Sequence, residues 1–252
     1  MMTSFAVFNR KGGCGKTTSS TALAYNFARR GYRTLLVDAD AQGNATQLML
    51  SGTEMPHGLD LALVGADVQP VPTEYRHLDM LPSGCDLAKL ELQITLGVEK
   101  GDLWGLHDWL SSYTDQYDMV LIDCPPNYST SCLAALLAVD KVLIPVGIDA
   151  YSQTAAPELI EQLDTLKAVA PSVKVDGVLI TQYRHGELAD RALVNLVKTG
   201  VKVYQSMIPR SDKAIESTWE SSPVGVWSPR SGPAKMYEAL ADELLKEAEH
   251  HG

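Results

Sequence analysis

No stretch of this 252-residue chain is apolar for long. The longest such run, residues 132–139, falls far short of the roughly 20 residues that span a bilayer. Four cysteines (Cys14, Cys85, Cys124 and Cys132) form no C-x-x-C pair. The spacing therefore lends little support to zinc or iron–sulfur ligation, and free thiols in a reducing compartment are expected. There is no excess of positive charge either, since 21 Lys and Arg face 31 Asp and Glu for a net charge of −10. That argues against coating nucleic acid with the whole surface, though it leaves room for a local basic face. Residues 1–5 run directly into an apolar segment, so no signal peptide is expected, and no linker, repeat or low-complexity stretch follows. With 45% hydrophobic and 21% charged residues, the composition is that of a folded globular protein. A cytoplasmic protein with a single domain over 1–252 is expected.

What is present is a glycine-rich loop, Lys11-Gly12-Gly13-Cys14-Gly15-Lys16-Thr17-Thr18. It lies between an apolar strand over 5–8 and an amphipathic helix over 19–30 that stops at Gly31. Strand, loop and helix form a phosphate-binding arrangement: glycines let several N–H groups point at one anion, and the helix N-terminus adds partial positive charge. Lys16 is expected to reach the β- and γ-phosphates, Thr17 to place its hydroxyl on Mg²⁺, and Thr18 to bond the α-phosphate. The strict pattern G-x-x-x-x-G-K-[ST] needs glycine at position 10, where Arg10 stands, and a second lysine, Lys11, heads the loop. Two lysines so close repel each other unless a further anion is near. Cys14, at the variable loop position, reads as a small packing residue.

Further along, the apolar run 34–37 ends in Asp38 and Asp40, and the run 119–122 ends in Asp123 before Pro125 and Pro126. Such continuous apolar runs suit parallel strands covered on both faces. Asp123 is placed as an aspartate at a strand end must be to hold a metal through water. Asp38 and Asp40 are expected on opposite faces, one toward the nucleotide and one supporting it. Further strands are predicted over 78–82, 141–146, 175–181 and 201–208. Helices are predicted over 46–50, 86–96, 103–113, 133–138, 158–169, 188–197 and 234–249, with 51–77 irregular. Strands alternating with helices imply an α/β fold, a mostly parallel twisted sheet with helices on both faces.

The loop Lys11 to Thr18 resembles the deviant phosphate loop of the ParA/MinD family of P-loop ATPases, closest to the short Soj-like partitioning ATPases. Asp123-Cys124-Pro125-Pro126 is similar to the family's D-C-P-P signature, and Ile208-Pro209-Arg210 to its I-P-R stretch beside the adenine. Thr181-Gln182-Tyr183 falls where the base is also approached. The resemblance runs from residue 4 to about 246. It implies ATP and Mg²⁺ as ligands, with Lys11, Lys16 and Asp40 as catalytic residues and Thr17, Asp38 and Asp123 at the metal. Residues 11–18, Pro209 and Arg210 would form the nucleotide site. Asp40 would orient the attacking water, although Ala41 stands where the family usually has proline. Lys11 would contact the ATP of a second copy across a sandwich homodimer.

Between 184 and 235 lie eight basic and five acidic residues, a net +3 that leaves −13 for the rest. A modest basic face doubled in a dimer suits weak, salt-sensitive, sequence-independent DNA binding. Arg184, Lys198, Lys202, Arg210 and Lys213 are the candidates. No helix-turn-helix precedes the first strand, so operator binding is not expected. The resemblance thus implies a partitioning ATPase that is nucleoid-associated in its ATP form, released from DNA on hydrolysis, and accelerated by a ParB-like partner on a plasmid, chromosome or other cargo. A MinD-like membrane ATPase is the alternative, yet the tail 242–252 is acidic and anionic lipid would repel it. A metabolic ligase of related fold would lack Lys11. An electron-transfer relative would need cysteines across a dimer axis, a context Cys85 and Cys132 do not have.

Overall fold

The computed structural model describes residues 2–51, 55–148, 152–171 and 173–250. Seven strands form one sheet: β1 (Thr3–Val7), β2 (Thr34–Asp38), β3 (Val71–Pro72), β4 (Leu78–Leu81), β5 (Met119–Asp123), β6 (Lys141–Gly147) and β7 (Lys174–Thr181). Their order is β3-β4-β2-β5-β1-β6-β7, parallel throughout except for the two-residue β3 at one edge. Among the described residues eleven α-helices surround them: α1 (Lys16–Arg29), α2 (Asn44–Met49), α3 (Leu59–Ala62), α4 (Leu87–Thr95), α5 (Gly105–Ser111), α6 (Thr130–Leu137), α7 (Ser152–Asp164), α8 (Glu187–Lys198), α9 (Asp212–Trp219), α10 (Val224–Trp227) and α11 (Gly232–His250). Helix α3 and strand β3 lie in the tract expected to be irregular; both are too short for a periodic pattern to reveal.

Alternation along the strands separates two cores. Ala6, Leu35, Val37, Val120, Ile122, Val142 and Ile144 meet α4–α7 on one face. Phe5, Val7, Leu36, Leu121 and Leu143 meet α1 and α11 on the other, through Leu23, Phe27, Tyr237 and Leu240. Burial on both faces is why the central strands are apolar without interruption. Replacing the fully buried Phe27 by alanine is expected to cost about 3–5 kcal/mol. Among the described residues no helix is long and apolar enough to cross a membrane. Within the acidic tail, the side chains beyond Lys246 lie outside the described residues.

The strand expected over 201–208 does not form. Two isolated bridges remain, Val178 with Val203 and Tyr183 with Pro209. The segment does lie along β7: Val178 N donates to Lys202 O at 2.9 Å, and Ile208 N to Ile180 O at 2.8 Å. Between them the amides of Gln205 and Ser206 turn to the carboxylate of Glu243 on α11, at 3.0 and 3.2 Å. Glu243 thus takes the Ser206 amide proton that a ladder to β7 would have used, and turns the neighbouring Gln205 amide the same way.

Candidate active site

Register brings the site together. Asp38 on β2 lies directly opposite Asp123 on β5, and Val7 on β1 is opposite Asp123 on its other side. The glycine loop leaves β1 at this edge, so loop and aspartates meet outside the carboxyl ends of the strands, where open parallel sheets bind their ligands. Gly13 (φ 69°) and Gly15 (φ 89°) adopt the left-handed conformation that turns the loop into α1. Asn9 braces the loop: its amide nitrogen donates to Pro145 O at 2.7 Å, and its side-chain oxygen accepts from Lys11 N at 2.9 Å. Residues at the end of β7 and just beyond add a clamp. Thr181 Oγ1 donates to Cys14 O at 2.7 Å, and Gln182 Nε2 donates to Gly13 O. The sequence places Thr181 and Gln182 near a base; here their polar atoms hold the phosphate loop.

The loop faces a cavity of about 810 Å³, lined among others by Gly12, Lys16, Thr17, Asp40, Pro126 and Arg210. Lys16 is buried, and its ammonium donates to Lys11 O at 3.1 Å. Cys14 is also buried. Desolvation raises its thiol pKa, with the Lys16 charge pulling the other way, so it is a packing residue rather than an activated nucleophile. Pro209, together with Ile208 and Arg210, lines the opposite wall.

Asp123 is fully buried. Ser20 Oγ donates to its Oδ1 at 3.0 Å, while Oδ2 has no partner among the described residues. Burial and then the neighbouring Asp38 push the Asp123 carboxyl well above the ordinary range, opposed by the Thr17 and Ser20 hydroxyls. A buried carboxylate oxygen without a partner is costly. An all-oxygen set beside a phosphate loop is what a hard divalent cation takes, so the residues present fit Mg²⁺.

Asp38 and Asp40 divide the work differently from expectation. Residues two apart on a strand share a face, so the expected opposite facing fails on that ground; moreover β2 ends at Asp38, which leaves Asp40 in the loop beyond. Both oxygens of Asp38 are engaged. Oδ2 accepts from Thr46 N and Oγ1, each at 2.8 Å, and Oδ1 accepts from Asp40 N at 3.1 Å. Asp38 therefore ties the following loop to α2. Asp40 lines the cavity, its Oδ1 accepting from Gln42 N at 2.9 Å.

Three contributors carry no motif by which a sequence would reveal them. Glu91 on α4 reaches the cavity wall and accepts from Ser131 Oγ at 2.7 Å. Ser131 Oγ lies equally close, at 2.7 Å, to Ala39 O, and its one proton is shared between the two acceptors where α6 meets the loop after β2. Tyr237 on α11 lines the cavity and shares a 2.9 Å hydrogen bond with Ser19 on α1.

The basic candidates separate into two sets. Lys11, Arg184 and Arg210 together line a smaller cavity of about 270 Å³ beside the loop. Lys198 is exposed in the last turn of α8, distinct from that group. Lys213 pairs with Glu216 at 2.6 Å. Lys202 lies 3.5 Å from Asp176, which also binds Lys141 at 3.3 Å, and its ammonium stands 4.5 Å over the Tyr204 ring.

Residues 2–175 match the family model of the AAA domain. The chromosome partitioning protein ParA of Myxococcus xanthus is 32% identical over 247 residues, covering 95% of this chain and 87% of that one. The sporulation initiation inhibitor protein Soj of Bacillus subtilis is 32% identical over 246 residues, covering 95% and 96%. Among solved structures, cobyrinic acid a,c-diamide synthase from Mycobacterium smegmatis with bound ADP and magnesium superposes with a TM-score of 0.83 at 26% identity, covering 100% of this chain and 97% of that one.

Proposed function

The chain belongs to the ParA/MinD family of ATPases, and from that premise we propose that it is a Mg²⁺-dependent ATPase that dimerises on ATP, binds non-specific DNA as the dimer, and lets go on hydrolysis. The observation that carries this reading is Lys11, exposed at the head of the phosphate loop, where Arg184 and Arg210 share its cavity. A single nucleotide already has Lys16. A further cation at the loop head, Lys11, suits a second anion, the triphosphate held by another copy of this chain, and Arg184 and Arg210 extend the basic rim beside it.

In this reading Lys16 exchanges the Lys11 carbonyl for the β- and γ-phosphates, and Thr18 hydrogen-bonds the α-phosphate. Thr17 and the unpaired Asp123 oxygen hold the metal, with Asp38 fixing the loop beside it. Magnesium, when bound, offsets phosphate charge and orients the terminal phosphoryl group. Asp40 orients the water that attacks phosphorus. Lys11 crosses to the partner's nucleotide and stabilises the charge that develops there, as an arginine finger does.

Two basic faces side by side in a dimer bind duplex far better than one, which links the nucleotide state to DNA without a sequence-reading module. Such a cycle moves a plasmid, a chromosome or another large cargo over the nucleoid of the cytoplasm, with a ParB-like partner on the cargo accelerating hydrolysis. The test is binding to non-specific duplex with ATP, with ADP and without nucleotide, at two salt concentrations. Binding with ATP alone, weakening as salt rises, supports the reading. Equal binding in all three states, or none in any, overturns it.

A further inference from the structure

We propose a second, transition-metal site at the loop that follows β4, built from His57, Cys85 and Asp86 and oriented by Asp60. One ligand atom from each of these four residues lies within 4.8 Å of the others. Nothing in the nucleotide chemistry uses them. C-x-x-C spacing could not reveal the group, because its members come from two chain segments, with His57 and Cys85 28 residues apart.

The two loops are pressed together at the backbone. Leu59 N donates to Pro82 O at 2.8 Å. A Cβ on Gly58 would stand 2.1 Å from that same oxygen, and one on Gly84 (φ +98°) would stand 2.1 Å from Asp60 Oδ1. Both glycines are therefore needed for the approach.

Asp60 has a side chain only 3% exposed, and its carboxylate is fully engaged. Oδ1 accepts from Gly58 N and Leu61 N at 2.7 and 3.0 Å. Oδ2 accepts from Asp86 N at 3.3 Å and lies 2.7 Å from His57 Nδ1. A carboxylate on one imidazole nitrogen fixes the tautomer and leaves the other lone pair for a metal, the usual arrangement behind a ligating histidine. Asp60 is thus a positioning residue, and the ligands are His57 Nε2, Cys85 Sγ and a carboxylate oxygen of Asp86.

Cys85 Sγ lies 3.7 Å from His57 Nε2 and 3.5 Å from Nδ1. In a tetrahedral zinc site, with Zn–N about 2.0–2.1 Å and Zn–S about 2.3 Å, nitrogen and sulfur stand about 3.6 Å apart. Cys85 and Asp86 are exposed, so a turn about Cα–Cβ moves the sulfur to the Nε2 side. Three protein ligands of N, S and O type with an open fourth position suit Zn²⁺ or Co²⁺ and not Mg²⁺, which takes oxygen. The two carboxylates supply negative charge around the cation. Binding displaces the thiol proton and competes with protonation of His57, so it strengthens with rising pH.

The test uses the full chain, stripped with EDTA and titrated with Co²⁺, followed by Zn²⁺ competition. One equivalent should give the near-ultraviolet absorption of a thiolate bound to cobalt, and Zn²⁺ should remove it. Cys85→Ser should abolish the band, while His57→Gln and Asp86→Asn should weaken binding at least tenfold. Thermal melts of the three variants check that each is folded. Lys16→Ala should leave the band unchanged, which separates this site from the nucleotide site. Absence of the band in the native chain, or its persistence in Cys85→Ser, overturns the proposal.

Discussion

The two walls of the nucleotide cavity are built by different means. On the strand-end wall, Asp38 and Asp123 sit opposite each other in a parallel ladder, and the loop from β1 rises beside them. On the other wall, residues 181–211 are held to β7 and to the loop by scattered bonds such as Ile208 N to Ile180 O at 2.8 Å. Strand register fixes positions to within the pleat, so the first wall places groups for chemistry. Sparse bonding and exposed cations leave the second wall able to meet a partner. Substitutions should divide accordingly: on the strand-end wall they change turnover or nucleotide affinity, and on the other they change association.

The sharpest test of that division is Asp40→Ala. Loss of a group that orients the attacking water is expected to lower kcat by about 10²–10⁴-fold. Nucleotide affinity and ATP-dependent association should persist, since the Asp40 carboxylate accepts from Gln42 N and otherwise faces the cavity. Steady-state hydrolysis and equilibrium ATP binding on one preparation check it. Unchanged turnover would remove Asp40 from the reaction.

Lys16→Ala comes next. Its ammonium makes charge-assisted bonds worth about 1.5–3 kcal/mol each, so with two phosphates ATP affinity should fall about 10²–10⁴-fold, measured by titration with a fluorescent analogue. Lys11→Ala provides the contrast: the residue heads the loop of the strand-end wall, yet it lines the small cavity with Arg184 and Arg210 and so belongs with the association surface. Monomer affinity for ATP should stay within about threefold, while ATP-dependent dimerisation in analytical ultracentrifugation disappears. If Lys11→Ala weakened nucleotide binding as much as Lys16→Ala does, the two lysines would serve one nucleotide and the rim would have no separate role.

The same contrast explains which features are legible in the sequence. Apolar runs ending in aspartate reveal β2 and β5 because burial on both faces leaves so little compositional freedom. The glycines of the loop are legible because only glycine takes Gly13 and Gly15 through positive φ at no steric cost. The strand expected over 201–208 fails because its apolar positions pack as a strand's would, while Glu243, a residue distant in sequence, captures the amides of Gln205 and Ser206. Glu91, Ser131 and Tyr237 escape notice for a related reason: each reaches the site by tertiary contact, with no local pattern to mark it. The His57–Cys85 group shows the same limit, being assembled by the docking of two loops.

A smaller effect tests the electrostatics of the strand-end wall. Asp38 and Asp123 have folded-state pKa values raised by burial, and for Asp123 also by the neighbouring charge of Asp38. The folded state then binds more protons than the unfolded one wherever pH lies between the ordinary carboxylate value of about 4 and the raised values. Stability of the metal-free, nucleotide-free protein should therefore fall as pH rises through that window. Asp123→Asn removes one of the two charges and should raise Tm at pH 8 by a few degrees, about 2–4 °C per kcal/mol for a chain near this size. The gain should shrink at pH 5. A variant that melts lower than the native chain at both pH values would mean that the carboxylate is satisfied in the folded state.

The smallest effects test the association wall against itself, because its lysines and arginines are not equivalent. Lys202 lies over the Tyr204 ring and beside Asp176, whose side chain is only 10% exposed and which Tyr204 Oη and Lys141 also contact. Removing Lys202 leaves that carboxylate one cation short, a loss of about 0.5–1 kcal/mol in folding stability. Arg184 shares its cavity with Lys11 and Arg210 and has no ion pair among the described residues, so it is available to an outside anion. Arg184→Ala should weaken ATP-dependent binding to duplex DNA severalfold, reduce the dependence of log affinity on log salt by about one per protomer, and leave Tm within a degree. Lys202→Ala should do the reverse, lowering Tm with little change in the salt slope. Chemical melts and duplex titrations at three salt concentrations separate the two. The reverse pattern would place the DNA-facing surface along β7 and the segment after α8 instead of beside the phosphate loop, and the rim cations would then serve the second nucleotide alone.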